Sequence, residues 1–191
     1  DPNVLALSNL GSFQFCKGNL VDARAAYERA RQADPATFVG EAQLGVVMYF
    51  QREFAQAARL FKTALDLQAR GGKPEVHRLW GNYADALRWS RDTAGAEQAY
   101  ARAIALAQRD ATSGDGNPLH AIYLAYFREM LAATLPQRWN SQRVGEADLR
   151  QLQAAQDPLA QLHLAAVYRQ RGNVALAAKI TASASVGCPG F

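Results

Sequence analysis

Residues 79–106 of the chain, with the sequence LWGNYADALRWSRDTAGAEQAYARAIAL, decide its fold. One helical face runs through the first half of this stretch, at Trp80, Tyr83, Ala84 and Leu87. A second helical face runs through the other half, at Ala96, Tyr100 and Ala103. Spacings of three, four and seven residues are typical of amphipathic helices. The stretch therefore predicts two helices with a break between them.

Small residues on both predicted faces indicate that the two helices pack closely. Ala84, Ala96 and Ala103 would let the two backbones approach each other. The larger rings of Trp80 and Tyr100 would fill the space around them. We therefore predict a helical hairpin built from alternating small and aromatic side chains.

The same pattern recurs along the chain. The recurring positions are Ala23, Tyr27 and Ala30 in one unit and Ala57, Phe61 and Ala64 in a second unit, 34 residues later. A Leu-Gly pair, at residues 10–11 and 44–45, recurs with the same spacing. This period and these residue types are typical of a helix-turn-helix repeat with a Leu-Gly pair in its first helix.

The period predicts a single array, residues 1–191, of five repeats. We expect them at residues 4–37, 38–71, 77–110, 118–157 and 158–191. The fourth repeat is irregular, because its second helix comes about ten residues later than the period predicts. Residues 134–143, which include Pro136 and Trp139, are therefore predicted to be an insertion on the surface and the preferred site of proteolysis.

Units of this kind resemble the tetratricopeptide repeat family across essentially the whole chain. The resemblance implies an all-α, right-handed superhelical solenoid whose concave groove is lined by the first helix of each repeat. The segments WGNYADALRW, AYARAIALA and LAAVYRQRGN look like the C-terminal arrays of bacterial multidomain signalling proteins. In such proteins the array follows a serine/threonine kinase, a nucleotide cyclase or a winged-helix domain. The likeness implies a docking or sensor region cut from a longer protein.

The resemblance also implies which residues face the groove. These predicted site residues are Ser12, Phe15, Cys16, Val46, Tyr49, Phe50, Arg78, Asp85, Arg88, Trp89, Tyr126 and Arg169. Neighbouring groove positions fall on Val39, Ala42, Met130, Leu159 and Leu162. The clamp with which some family members hold chaperone tails is not expected. Its positions are occupied here by Ser8, Ser12, Gln43, Arg78 and Asn82, which leaves one of its three basic residues.

Two functions fit these residues. The first is a non-catalytic scaffold whose groove, with Tyr49, Phe50 and Trp89 as one aromatic wall, binds a peptide or protein segment beside Arg88. The second is a homodimerisation module whose contact is either the groove or the thin last helix of the array. Packing of the apolar residues under neighbouring or upstream repeats is the alternative to a groove of either kind.

Catalysis, cofactors and metals are not expected in this chain. His77, His120 and His163 fall near the starts of first helices in three different repeats, and the sequence has no His-x3-His or Cys-x2-Cys pair. No serine, cysteine or threonine lies in a motif that would place it beside a base. We therefore predict no enzyme activity, no cofactor and no metal site.

Charge and cysteine usage suggest where the chain works. The formal net charge is +4, but the basic residues are interleaved with acids, so no nucleic-acid surface is expected. No apolar run is long enough to cross a membrane. Cys16 and Cys188 lie at opposite ends of the array, so we expect no disulfide and a reducing, cytoplasmic location.

Overall fold

The computed structural model describes residues 2–113, 117–154 and 158–184, and this part of the chain contains helices and no strand. Its helices are α1 (Pro2–Cys16), α2 (Leu20–Ala33), α3 (Phe38–Phe50), α4 (Phe54–Arg70), α5 (His77–Trp89), α6 (Thr93–Thr112), α7 (Pro118–Thr134), α8 (Pro136–Trp139), α9 (Glu146–Gln153), α10 (Pro158–Gln170) and α11 (Val174–Ala184). A short 3-10 helix, Asn140–Gln142, follows α8. The prediction of an all-α fold is confirmed.

Four of the helical hairpins turn in the same way. In each of these turns, one residue between the two helices has a positive φ angle. These residues are Gly18, Arg52, Arg91 and Gly172. In each turn the amide of the next residue donates to a carbonyl five residues back, as Asn19 does to Gln14 and Glu53 does to Met48. This is the hydrogen-bond pattern with which a left-handed residue closes a helix. At Arg52 and Arg91 this left-handed backbone conformation costs about 1–2 kcal/mol more than it would with glycine.

In the first two hairpins the first helix closely approaches an aromatic ring on the second helix. A Cβ atom placed on Gly11 would lie 2.4 Å from the Tyr27 ring, and one on Gly45 would lie 2.6 Å from the Phe61 ring. Both rings are almost fully buried. The rings therefore occupy the space that any larger residue at these glycines would need.

Contacts divide the chain into two compact units. The first comprises described residues among 1–75 and 82–92, and the second comprises those among 76–81 and 93–189. In the first unit α1 packs on α2, α2 on α3 and α3 on α4. In the second unit α6 packs on α7, α7 on α10 and α10 on α11.

The predicted insertion is a folded element of the second unit. It holds α8 and the 3-10 helix, and the indole N–H of Trp139 donates to Glu97 at 2.8 Å. Arg138 pairs with the same carboxylate at 2.9 Å. The break from α7 comes at Leu135 rather than at Thr134. Residues 136–138 are exposed, so the expectation that proteases cut here stays a prediction.

A buried carboxylate ties this region together. Glu129 of α7 is fully buried and accepts hydrogen bonds from Arg143 at 2.6 Å and from Arg171 at 2.6 Å. Arg171 also pairs with Glu146 at 2.7 Å, but the Glu146 side chain is 59% exposed. The buried anion therefore joins α7 to the end of the insertion and to the turn after α10.

The packing of α4 provides the first test of the fold. Ala57 is fully buried, whereas Ala55, two residues earlier in the same helix, is exposed. Ala57→Leu should lower the free energy of unfolding by about 1–3 kcal/mol through overpacking. The matched control Ala55→Leu should change it by less than about 0.5 kcal/mol. Thermal and urea melts followed by circular dichroism measure both, and equal losses would mean that the repeat register is wrong.

The buried carboxylate provides a second test. Glu129→Gln should lower the free energy of unfolding by about 3 kcal/mol, because it removes the buried anion that two guanidinium groups contact. Glu146→Gln removes an exposed partner of the same arginine and should cost at most about 1 kcal/mol. Urea denaturation of the two variants measures the difference. A loss at Glu146 as large as that at Glu129 would show that burial does not decide the strength of this network.

Candidate functional site

Five aromatic rings form a continuous cluster in the first unit, which we call the aromatic cluster. Its members are Phe15, Phe50, Tyr49, Phe54 and Trp89. The successive ring centroids are 5.0, 5.9, 5.4 and 5.7 Å apart. These distances are those of favourable aromatic pairs, so the rings hold one another in place.

The two largest exposed surfaces of the cluster belong to Phe50 and Trp89. Phe50 is 58% exposed and Trp89 is 51% exposed. Phe15, Tyr49 and Phe54 are half-buried. The cluster therefore presents two apolar surfaces to solvent on a base of partly covered rings.

Charged groups accompany the rings. The guanidinium carbon of Arg88 lies 5.4 Å from the centre of the Trp89 ring, which is the geometry of a cation–π contact. Burial of Tyr49 raises the pKa of its hydroxyl, and the nearby carboxylate of Asp85 raises it further. The Tyr49 hydroxyl therefore stays neutral and takes part in a hydrogen bond with Trp89.

The predicted site residues of the first unit differ in how much surface they offer. Phe15, Tyr49, Phe50 and Trp89 lie in the cluster, and Val46 is half-buried. Ser12 forms a hydrogen bond with the Tyr27 hydroxyl at 3.0 Å, and Asp85 is only 9% exposed. Asp85 therefore offers little surface, whereas Ser12 is half-buried, and the expectation that both face a ligand stays a prediction.

Phe54 was missed by sequence reasoning. Tyr49 reaches Trp89 through a hydrogen bond of its hydroxyl, and Phe54 joins the two rings, because it stacks on Trp89 and touches Tyr49. Phe54 begins the second helix of its hairpin, whereas the resemblance assigns the groove to first helices. Its position directly after the turn that follows Phe50 was the available signal.

The remaining predicted site residues belong to the second unit. Arg78 and Arg169 are exposed, and the half-buried Tyr126 packs against the His163 ring with centroids 4.9 Å apart. Met130 is only 3% exposed, so the expectation that it lines a groove is wrong, because it is a core residue of α7. The Leu159 side chain lies outside the described residues, and Leu162 is half-buried.

Cys16 corrects the expectation about disulfides. It is exposed and it is disulfide-bonded. Cys188, the other cysteine of the chain, lies outside the described residues. Disulfides persist mainly in oxidising compartments, so cysteine usage no longer argues for the cytoplasm.

Two of the three histidines meet in the second unit, although they come from different repeats. His77 Nε2 lies 3.1 Å from His120 Nδ1 and 3.8 Å from an oxygen of Asp110. Burial lowers the pKa of His77 to about 4, against the opposing effect of Asp110, so this imidazole is neutral at physiological pH. Sequence spacing gave no signal for this group, because its members come from three helices.

No helix in the described part of the chain is both long enough and apolar enough to cross a membrane.

Comparisons with known proteins agree with this architecture. The family model for the tetratricopeptide repeat matches residues 43–112. No curated protein matches the sequence significantly. Among solved structures, PilF of Pseudomonas aeruginosa is similar with a TM-score of 0.60 and 19% identity, over 96% of this chain and 77% of that chain.

Two further structures resemble the chain at similar levels. A putative kinesin light chain from Podospora anserina, with nearly identical repeats, has a TM-score of 0.57 and 14% identity, over 96% of this chain and 94% of that chain. YrrB, a tetratricopeptide repeat protein with an unusual peptide-binding site, has a TM-score of 0.52 and 16% identity, over 93% of this chain and 82% of that chain. Residues 43–112 therefore match the tetratricopeptide repeat family, and these solved structures show that the chain has a similar fold.

Proposed function

We propose that this chain is a non-catalytic protein-interaction scaffold, and that the aromatic cluster binds a peptide segment of its partner. The observation that carries the proposal is the exposure of Phe50 and Trp89, each more than half accessible, on a base of rings that hold one another. Exposed aromatic surface of this kind usually marks an interaction site.

Pre-ordering of the rings favours tight binding. A partner that docks on a flexible side chain must also order it, which costs about 0.5–1.5 kcal/mol for each such residue. Trp89 is stacked on Phe54, and Phe50 is packed on Phe15, so much of this cost is met in the free protein. Aromatic residues in such settings are the usual binding hot spots.

Arg88 suggests the polar part of the ligand. Its guanidinium lies over Trp89 and offers planar donors suited to a carboxylate. We therefore expect an extended or helical peptide with an apolar anchor side chain and, near Arg88, an acidic residue or a C-terminal carboxylate. The peptide-binding site of YrrB supports this proposal only through the shared fold.

Self-association is the second candidate function. Helices α1 and α2 carry a separate set of exposed apolar side chains, namely Leu5, Leu10, Phe13 and Val21. A second copy of the chain could cover them, if the interface buried about 800 Å² on each partner. This surface lies outside the aromatic cluster, so the two functions can be separated by mutation.

The wider role proposed for the scaffold is docking or sensing within a larger bacterial signalling protein, in the cytoplasm. This rests on the resemblance of WGNYADALRW and its companion segments to such arrays. The complete gene tests it, since an upstream kinase, cyclase or winged-helix domain would support this role and its absence would contradict it.

Peptide binding is tested with a ligand selected from a displayed library of random peptides and titrated calorimetrically. Trp89→Ala should weaken binding about thirtyfold, because truncation of an anchor commonly costs about 2 kcal/mol. Arg88→Ala should cost less and should mainly reduce the salt dependence. The matched control Phe13→Ala removes an equally exposed ring outside the cluster and should leave the affinity unchanged. Equal binding by folded Trp89→Ala would rule out the cluster as the site.

Self-association is tested by size-exclusion chromatography with light scattering over a range of concentrations. The scaffold proposal predicts a monomer, and the alternative predicts a dimer that Phe13→Ala weakens and Trp89→Ala does not. A dimer weakened by Trp89→Ala instead would place the contact on the aromatic cluster and would count against free peptide access.

A further inference from the structure

Three side chains that commonly bind metals meet in the second unit. His77 is the first residue of α5, Asp110 lies in the last turn of α6, and His120 lies in the first turn of α7. Their ligand atoms all lie within 4.8 Å of one another. We propose that His77, Asp110 and His120 bind a first-row divalent metal ion of the Zn²⁺ type, contrary to the expectation from sequence spacing.

The distances suit one ion. His77 Nε2 lies 3.1 Å from His120 Nδ1 and 3.8 Å from Asp110 Oδ2. Two ligands of a tetrahedral zinc ion lie about 3.3 Å apart, given zinc–nitrogen bonds of about 2.0–2.1 Å. The two measured distances bracket this value, so small side-chain rotations would bring all three atoms around an ion.

The ligand types select the metal. Two imidazoles and one carboxylate are a common ligand set for Zn²⁺, with the fourth position taken by water. Mg²⁺ and Ca²⁺ prefer sites made entirely of oxygen atoms, so the two histidines disfavour them. Imidazole nitrogen also suits Co²⁺, Ni²⁺ and Cu²⁺, which makes Co²⁺ a useful spectroscopic probe.

The surroundings support the ligands. Arg109 holds Oδ1 of Asp110 at 2.7 Å, which leaves Oδ2 facing His77. The His77 ring packs against Tyr123 and Phe127, with centroids 4.9 and 6.1 Å away. A ligating carboxylate is usually held by a second group in this way, and an apolar wall limits the access of water.

One buried atom lacks a partner. His77 Nδ1 is buried and has no hydrogen-bond partner within the described part of the chain. This nitrogen is the other ring nitrogen from Nε2, which faces His120 and Asp110, so it is not the candidate ligand atom of His77. Neither the contact with His120 nor an ion bound at Nε2 would satisfy it.

The competing explanation is a hydrogen bond between two neutral imidazoles. The distance of 3.1 Å between His77 Nε2 and His120 Nδ1 fits such a bond as well. A hydrogen bond needs only the two histidines, whereas a metal site needs Asp110 too. A conservative change at Asp110 therefore separates the two explanations.

The test uses the full chain, free of any tag and stripped with EDTA, without reductant so that Cys16 stays oxidised. Calorimetry with ZnCl₂ should show one ion per chain, and CoCl₂ should give the strong visible absorption of a low-coordinate site. Asp110→Asn and His120→Gln should each weaken Zn²⁺ binding by more than about tenfold, since even supporting groups commonly account for about 10- to 100-fold. Zn²⁺ should also raise the melting temperature of the wild type and not that of Asp110→Asn.

His163→Gln is the matched control, because His163 packs against Tyr123, with centroids 4.6 Å apart, and is not one of the three ligands. It should bind Zn²⁺ within about twofold of the wild type, a difference small beside the roughly tenfold or greater effect of a lost metal partner. Melting curves recorded in EDTA confirm that each variant is folded. Absence of one-to-one Zn²⁺ binding by the wild type, or equal binding by folded Asp110→Asn, would overturn the proposal.

Discussion

The close approach of helices at small residues is the constraint on which the rest of the structure depends. Gly45 has no space for a side chain, because the Phe61 ring occupies the position that a Cβ atom would take. The same relation holds between Gly11 and Tyr27. In each pair the ring packs directly against the backbone at the glycine, so the pair fixes both the spacing of the helices and their rotation. Once these are fixed, the positions of all other residues on the two helices follow.

This constraint explains which parts of the fold were predictable. Alternating small and aromatic residues form a pattern that can be recognised in the sequence. Ala57, Phe61 and Ala64 are buried, as that pattern indicates. The insertion was predicted because residues 134–143 break the period. Its internal structure was not predictable, since it depends on Trp139 and Arg138 reaching Glu97, about forty residues away in sequence.

The site residues were predictable only in part, for a related reason. Phe50 and Trp89 follow from their positions on first helices, whereas Phe54 joins them because the tight turn at Arg52 brings the start of α4 beside the end of α3. The meeting of His77, Asp110 and His120 leaves no local pattern at all, since each belongs to a different helix. Spacing rules detect ligands on one helix or one loop, and they fail where a metal site is built from helix ends.

The turns place the candidate binding residues as much as the helices do. In three hairpins of the chain the amide of the positive-φ residue donates to a carbonyl three residues back, and those carbonyls belong to Phe15, Tyr49 and Arg88. The same bond fixes Arg169 in the last hairpin. Equivalent residues before each turn are therefore held in equivalent backbone positions, whatever their side chains. A repeat of this kind can vary the chemistry of its surface while its backbone stays constant, because the turn requires only a residue that tolerates positive φ. In this chain, arginine at positions 52 and 91 meets that requirement, at a cost in conformational energy that the packing of the adjoining helices must offset.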